Sequence, residues 1–124
     1  MLSKTIMPSK NPIYLNAIAV DTISGTSASA AITLNCNAFK ITTESLTTAA
    51  AAEYTLTMTN SMIWVNSIVL FSVGRWSTTQ GTMIAWGATI TDGQVVLVMT
   101  NTHASEALNG TLSIRWIILN PKGV

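Results

Sequence analysis

Only a few side chains in this sequence could take part in acid–base, nucleophilic or metal chemistry. The 124 residues include one histidine, His103, and one cysteine, Cys36, so two imidazoles cannot share a metal ion or a proton. His103 lies in a polar segment shortly before Glu106, and we interpret it as a solvated or interface histidine rather than a metal ligand. Cys36 has no histidine near it in the sequence, and a lone cysteine of this kind behaves as a small apolar residue.

The carboxylates are dispersed along the chain and indicate no catalytic pair. Asp92 lies in a turn dipeptide and Glu53 begins a strand-like run, so both have structural explanations. A glycosidase would need two carboxylates facing each other across a groove, and the positions of Asp21, Glu44 and Glu106 give no sign of one. The sequence also lacks a Gly-x-Ser-x-Gly elbow and a glycine-rich phosphate loop. We therefore predict that the protein is not an enzyme and binds no cofactor or metal.

Tryptophan and arginine supply the remaining candidates, and they indicate a contact surface. Trp76 follows Arg75 in Gly74–Gly81, which we predict to be a polar loop. An exposed tryptophan beside an arginine is typical of a protein-contact hot spot and also of a sugar-stacking platform. For Trp64 and Trp86, packing in the core and a place in an interface remain equal alternatives. The predicted interface residues are Arg75, Trp76, Trp64, Trp86, Arg115 and Trp116.

The composition favours a protein whose surface is largely covered by neighbours. Charged residues make up 9% of the chain and hydrophobic residues 48%, whereas soluble proteins have about 25% charged residues. A monomer of this composition would expose apolar patches, and such patches usually mark contact surfaces. The apolar stretches Met62–Val73 and Ser113–Leu119 are shorter than the roughly 20 residues of a membrane-spanning helix. We therefore expect protein partners and no membrane.

Charge and cysteine content restrict the remaining partners and the compartment. The formal net charge is +1, which provides no basic patch, and we expect no direct contact with nucleic acid. A single cysteine excludes an intrachain disulfide framework and fits a reducing compartment. The start, MLSKTIMPSK, has no apolar core of signal-peptide length. We expect the protein to be made and assembled in a cytoplasm.

The segment Glu53–Val73 organises the predicted fold. Tyr54, Leu56 and Met58 alternate with threonines, which is the pattern of a half-buried strand. Ile68–Val73 is apolar on both faces, and a strand without a polar face implies two packed sheets. With turn signals about every eight to twelve residues and little helix, we predict an all-β fold, an antiparallel β-sandwich of jelly-roll type.

The predicted domain organisation is an extended N-terminal arm at 1–12, where Pro8 and Pro12 prevent regular pairing, followed by one sandwich domain at 13–124. We predict strands at Ile13–Ile23, Ala28–Asn35, Phe39–Thr43, Glu53–Thr59, Ile68–Val73, Thr82–Thr91, Gln94–Thr100 and Thr111–Leu119. Ser45–Ala52 is predicted to be a connection. Gly87 indicates a bulge, and Asp92-Gly93 and Asn109-Gly110 indicate turns.

From Lys40 to Leu119 the order of motifs resembles a family of small structural proteins in tailed-phage virions. The matching runs are KITTESLTTAAAAEYTLTMTNS, SIVLFSV and TDGQVVLVMTNTHASEALNGTLSIRWIIL. In the family the last run has the form NxxASxALNGTLxIxxxxL. The residues that fit it are Asn101, Ala104, Ser105, Ala107, Leu108, Asn109, Gly110, Thr111, Leu112 and Ile114.

The resemblance implies a capsid decoration (cement) protein or a fibre module, commonly a homotrimer of β-sandwiches. On this basis we expect a homotrimer on the major capsid protein at the phage head surface, assembled in the host cytoplasm. The sequence departs from the family at Arg75-Trp76, in its extra tryptophans and in its short arm. A long fibre would need a shaft or anchoring domain, which favours the decoration role. A receptor-binding or carbohydrate-binding module remains the alternative.

Overall fold

The structure, a computed structural model, describes the backbone of residues 23–78 and 80–121 and, apart from residues 23 and 75–78, their side chains. Within these residues the fold is all-β, without helix, and its strands form two sheets. The strands are β1 (Ile23–Thr26), β2 (Ala31–Thr33), β3 (Ala38–Thr42), β4 (Leu46–Thr48), β5 (Glu53–Thr59), β6 (Ile68–Thr78), β7 (Met83–Thr91), β8 (Gln94–Asn101) and β9 (Leu108–Leu119).

The first sheet, which we call sheet A, is built around β9. One edge of β9 pairs with β3 and then, further along, with β4, while the other edge pairs with β6. All three pairs are antiparallel. β1 extends the sheet beyond β3 as a parallel neighbour. The strand β6 therefore lies beside β9 alone in the part of the chain that the structure describes.

The second sheet, sheet B, has the strand order β2-β5-β8-β7. The pairs β5–β8 and β7–β8 are antiparallel, whereas β2 and β5 run parallel. The predicted all-β fold is confirmed and its two sheets are compatible with the predicted sandwich, but the expectation of wholly antiparallel sheets is wrong. The reason is that β2 lies in sheet B while β1 and β3 lie in sheet A. Because the chain passes through β2 in sheet B between β1 and β3, it can return to sheet A in the same direction, so that β1 and β3 are parallel.

The core lies between the two sheets and follows the alternation of side chains along the strands. In sheet B, Leu56 and Met58 of β5 are fully buried, as are the alternate residues Val95, Leu97 and Met99 of β8. In sheet A the corresponding residues are Phe39, Ile41, Leu112, Ile114, Trp116 and Ile118. The strand predicted from EYTLTMT is confirmed, with its threonines on the outer face of sheet B.

Two predicted turns are strands in the structure. The predicted loop Gly74–Gly81 is wrong because β6 continues to Thr78, where it still pairs with Gly110 of β9. The predicted turn at Asn109-Gly110 is also wrong, since both residues lie within β9 and pair with β4. Three strands that support one another along this stretch override the local turn preferences of the glycines. The predicted connection Ser45–Ala52 likewise contains β4.

Other local predictions are confirmed. Asp92-Gly93 forms the turn between β7 and β8, with Gly93 at a φ of 79°. The register of β7 against β8 shifts between Ala85 and Gly87, so that Trp86 is the extra residue of a bulge. The predicted arm at 1–12 and most of the strand predicted at Ile13–Ile23 lie outside the described residues.

Candidate interaction surfaces

Glu44 forms a partly buried polar cluster with Tyr54 and the loop that joins β1 to β2. Its carboxylate accepts hydrogen bonds from the Tyr54 hydroxyl at 2.6 Å, the Ser27 hydroxyl at 2.7 Å and the Ala30 amide at 2.6 Å. Ser29 and Ala30 have positive φ angles of 53° and 60°, a conformation that costs energy in residues with a Cβ. The cluster therefore holds a strained turn in place, and it contains no imidazole that could activate the serine.

The same contacts change the ionisation of both acidic groups. Partial burial acts to raise the pKa of Glu44, but the hydrogen bonds from Tyr54, Ser27 and the Ala30 amide outweigh it and lower the pKa below its usual value. Burial and the neighbouring Glu44 carboxylate raise the pKa of Tyr54 above its usual range. Glu44 is thus bound in its charged form and Tyr54 in its neutral form.

Acidification is therefore expected to destabilise the fold through Glu44. Because the folded protein lowers the pKa of Glu44, this stabilisation is complete above the pKa of a free glutamate, about 4.3. It is lost as the pH falls through the lower pKa of the folded protein. At neutral pH, Glu44→Gln should lower the free energy of unfolding by about 2 kcal/mol, and its stability should vary less with pH between about 5 and 2.

Urea denaturation at several pH values measures this effect. Glu106→Gln is a suitable control because the Glu106 carboxylate accepts no hydrogen bond from the described residues. An acid profile of Glu44→Gln identical to that of the wild type would contradict the role of Glu44.

Asn101 closes the end of the sandwich from a fully buried position at the end of β8. Its side-chain amide donates to the carbonyls of Thr48, Ala49 and Glu106 at 2.9, 3.2 and 2.8 Å. Its side-chain oxygen accepts from the amides of Thr82 and His103 at 3.0 and 3.1 Å. Both polar atoms of the Asn101 side chain are hydrogen-bonded, so Asn101 joins the end of β4 to the loop before β9.

His103 and Cys36 also have structural roles. The Nδ1 of His103 accepts hydrogen bonds from the amides of Ser105 and Glu106 at 3.2 and 2.9 Å, so the histidine shapes the loop before β9. Cys36 is buried and forms no disulfide, as predicted for a small apolar residue. Among the described residues there is no group of three or more His, Cys, Asp or Glu side chains that could hold a metal ion.

The outer face of sheet A carries a groove across β3, β9 and β6. The groove has a volume of about 380 Å³. Its lining residues all belong to sheet A, which places it on the face away from the core. They are Ala38, Phe39 and Lys40 of β3, Leu70, Phe71 and Ser72 of β6, and Arg115, Trp116 and Ile117 of β9.

The register gives the order of side chains across this outer face. Leu70 lies opposite Ile117, and Arg115 lies between Lys40 and Ser72. Leu70 is 53% exposed and Arg115 is also exposed. The side chain of Arg115 makes no hydrogen bond or ion pair within the part of the chain that the structure describes. This face therefore combines apolar side chains with a guanidinium group that is open to a partner.

The outer face of sheet B combines apolar side chains with a carboxylate. Glu53, Thr100 and Ile84 lie side by side on β5, β8 and β7. Ile84 is 50% exposed, and Trp86 next to it is 63% exposed. The indole N–H of Trp86 donates to the Thr100 hydroxyl at 2.8 Å, which fixes the ring on this face. Glu53 is exposed, and its carboxylate forms no hydrogen bond or ion pair with the described residues.

The predicted interface residues are thus separated. Trp116 is 2% exposed and lies in the core, because it faces inward between the outward residues Arg115 and Ile117 of β9. Trp64 is half-buried in the segment that crosses from sheet B to sheet A. Of the predicted interface residues whose side chains the structure describes, Trp86 and Arg115 are exposed, on opposite faces of the sandwich. The backbones of Arg75 and Trp76 belong to β6, and their side chains lie outside the described residues.

Sequence analysis did not identify the apolar outer residues of β6 or the position of Glu53 beside Trp86. The signal for the first was present, since Ile68–Val73 is apolar at every position but Ser72. The second depends on the pairing of β5, β8 and β7, which the sequence does not specify.

No helix in the described residues is long and apolar enough to cross a membrane. Comparisons of the chain with protein-family models, with curated proteins and with solved structures found no match.

Proposed function

We propose that this chain is a decoration protein of a tailed-phage head, which binds the assembled capsid as a homotrimer and stabilises it. The observation that carries the proposal is the exposure of large apolar side chains on the outer faces of both sheets. Ile68 and Leu70 are 48% and 53% exposed on sheet A, and Ile84 and Trp86 are 50% and 63% exposed on sheet B. The resemblance of residues 40–119 to virion proteins supports a phage head as the assembly that would cover these side chains.

Two apolar faces suit a protein that is surrounded by neighbours. In an antiparallel sandwich the outer face of each sheet is commonly polar and hydrated. Contiguous apolar patches on a surface usually mark sites of interaction, and here the chain has 9% charged residues to offset them. A trimer that contacts its own subunits and the major capsid protein would bury both faces.

Stabilisation of the shell follows from binding alone. A protein that binds the assembled shell and not the separate subunits shifts the equilibrium toward assembly. Broad contacts are sufficient for this, and we propose that the protein catalyses no reaction. We further propose that the complete chain has jelly-roll connectivity and that residues 1–12 form an extended arm that attaches to the particle.

Particles that lack this protein should release their genome at a lower temperature than wild-type particles. Each trimer would add free energy of binding to the closed shell, and the contributions add over many copies. Addition of the purified protein to the depleted particles should restore the original temperature. The measurement is the release of DNA during heating, followed with a dye that fluoresces on exposed DNA.

A receptor-binding or carbohydrate-binding fibre module is the second candidate. The observation in its favour is Trp86, whose ring is exposed while its N–H is held by Thr100, since aromatic rings of this kind stack on sugars. Depleted particles that melt normally but no longer adsorb to cells would favour this candidate. Glycan binding that is lost in Trp86→Ala would favour it as well.

A further inference from the structure

We propose that residues 13–22, which lie outside the described residues, fold across the outer face of sheet A of their own chain and occupy its groove. In this arrangement the carboxylate of Asp21 pairs with the guanidinium of Arg115. The contacts lie within one chain, so they go beyond the proposed function and do not rest on it. Their basis is the position of the groove beside the start of β1, the charge of the groove and the composition of the segment.

The groove runs across the strands, and one end of it lies beside the start of β1. Its lining residues occupy three neighbouring rows, where a row is a set of residues paired side by side across the sheet. The middle row joins Phe39 of β3, Trp116 of β9 and Phe71 of β6. Ile23, where β1 begins, pairs with Phe39 and so belongs to this row. The chain that precedes Ile23 therefore arrives at the end of the groove.

A few residues are sufficient to cross the groove. Adjacent strands lie about 4.8 Å apart, so the distance from β1 through β3 and β9 to β6 is about 14 Å. An extended chain covers about 3.3 Å per residue, and residues 18–22 therefore reach from Ile23 to β6. Asp21 would then lie between β3 and β9, within reach of the long side chain of Arg115.

The groove offers a positive charge beside an apolar surface. Arg115 is exposed, and its side chain has no partner among the described residues. Leu70, which is 53% exposed, and Ile117 form the neighbouring row. The small side chains of Ala38 and Ser72 leave room between the larger ones. A chain can therefore lie against the apolar row while its carboxylate accepts the planar fork of donors of an arginine.

The segment that precedes β1 has the complementary composition. The run IYLNAIAV at 13–20 is uncharged and mostly apolar, and Asp21, which follows it, is the first carboxylate in the chain. In an extended chain Ile18 and Val20 project to the side opposite Asp21. The two apolar side chains would cover the apolar row, and the carboxylate would lie at the height of the Arg115 guanidinium. Docking thus covers apolar side chains on both partners.

Other occupants fit the groove less well. A second copy of sheet A would bring two copies of Arg115 together, and like charges in contact are unfavourable. Residues 1–12 carry two lysines and no carboxylate, so they do not complement the groove. A segment already attached at Ile23 also has a high effective concentration at the groove. Ile68 and the exposed residues of sheet B lie outside the groove and stay open to other subunits.

Disulfide trapping in the intact chain tests the position of the segment. In a Cys36→Ala background, Ile18→Cys with Leu70→Cys should form an intramolecular disulfide, because the two Cβ atoms would lie about 4 Å apart. Ile18→Cys with Ile84→Cys is the matched control, since Ile84 is 50% exposed on the opposite sheet. The first pair should oxidise about tenfold faster than the control. The measurement is mass spectrometry of unreduced peptides at a series of times in oxidised glutathione.

Charge reversal tests the ion pair without added cysteines. Chymotrypsin cleaves after Tyr14 faster when the segment is free, so the rate of cleavage measures docking. Asp21→Arg and Arg115→Glu should each raise this rate about tenfold, because each brings two like charges together, and the double variant should restore the slow rate. Glu106→Arg makes the same type of change outside the groove and should be cleaved as the wild type is. Circular dichroism verifies folding.

The docking is contradicted if Ile18→Cys pairs with Leu70→Cys no faster than with Ile84→Cys, or if the disulfide joins two copies of the chain. It is also contradicted if neither charge reversal changes the rate of cleavage after Tyr14, or if the double variant is cleaved as fast as the single variants. None of these measurements involves a capsid, so each negative result leaves the proposed function in place.

Discussion

Trp116→Ala is expected to lower the free energy of unfolding by about 3–5 kcal/mol, because it removes a large aromatic side chain from a closed core. The indole is 2% exposed. It stacks on Phe39 with ring centroids 5.8 Å apart and contacts Phe71 at 5.3 Å. Most small domains have a total stability of about 5–15 kcal/mol, so this loss should leave a substantial unfolded population. Urea denaturation measures the loss.

Trp86→Ala is the matched control, since it changes the same residue type at a position that is 63% exposed. Trp86→Ala should lower the free energy of unfolding by about 1 kcal/mol or less, mainly because the hydrogen bond to Thr100 is lost. Trp116→Phe should cost less than Trp116→Ala because it keeps an aromatic ring, and the indole N–H that it removes has no partner among the described residues. Equal losses for Trp116→Ala and Trp86→Ala would contradict the assignment of one to the core and the other to the surface.

Asn101→Ala is expected to destabilise the fold by about 3 kcal/mol or more, because each buried polar group left without a partner costs about 1–3 kcal/mol. The side chain binds three carbonyls and two amides from three separate segments of the chain. Its removal would free the loop before β9 from the ends of β4 and β8. Thermal unfolding and amide hydrogen exchange at His103 and Glu106 measure the overall and the local loss.

Asn109→Ala provides the control for this substitution. Asn109 is exposed within β9, and its side chain makes no hydrogen bond with the described residues, so the expected change is within about 0.5 kcal/mol. If Asn101→Ala were as stable as Asn109→Ala, the hydrogen bonds of the Asn101 side chain would not contribute to the stability of the fold.

Much of the fold could be predicted where a local pattern and its surroundings agree. The alternation of Tyr54, Leu56 and Met58 with threonines predicts both β5 and the face that it buries, and Asp92-Gly93 predicts the turn that follows β7. The loop predicted at Gly74–Gly81 and the turn predicted at Asn109-Gly110 are wrong because long-range strand pairing determines the structure at these positions. β9 pairs with β3 and β4 on one edge and with β6 on the other, and the local sequence does not indicate these pairings.

The candidate surfaces could be predicted only in part. In the run TLSIRWIIL the alternate residues Leu112, Ile114, Trp116 and Ile118 are all apolar, whereas Thr111, Ser113 and Arg115 between them are polar. This alternation indicates that Trp116 faces the core and Arg115 the outer face, and our sequence analysis did not use it. Trp86 could be placed only once the bulge in β7 was known, since an extra residue changes which side chains point outward.

The segment that begins at Asn101 has a structural role, because its polar side chains bind the backbone of the loop before β9. In the run NTHASEALNG the side chain of Asn101 binds the carbonyl of Glu106, and His103 accepts hydrogen bonds from the amides of Ser105 and Glu106. These contacts shape the loop that leads into β9, the central strand of sheet A.

The number of copies of this chain in purified virions tests the proposed function most directly. Quantitative mass spectrometry against the major capsid protein, on intact heads separated from tails, gives this ratio. A decoration trimer predicts many copies per head, in a fixed ratio to the major capsid protein and in multiples of three. Absence from heads, or a few copies confined to the tail, would contradict it.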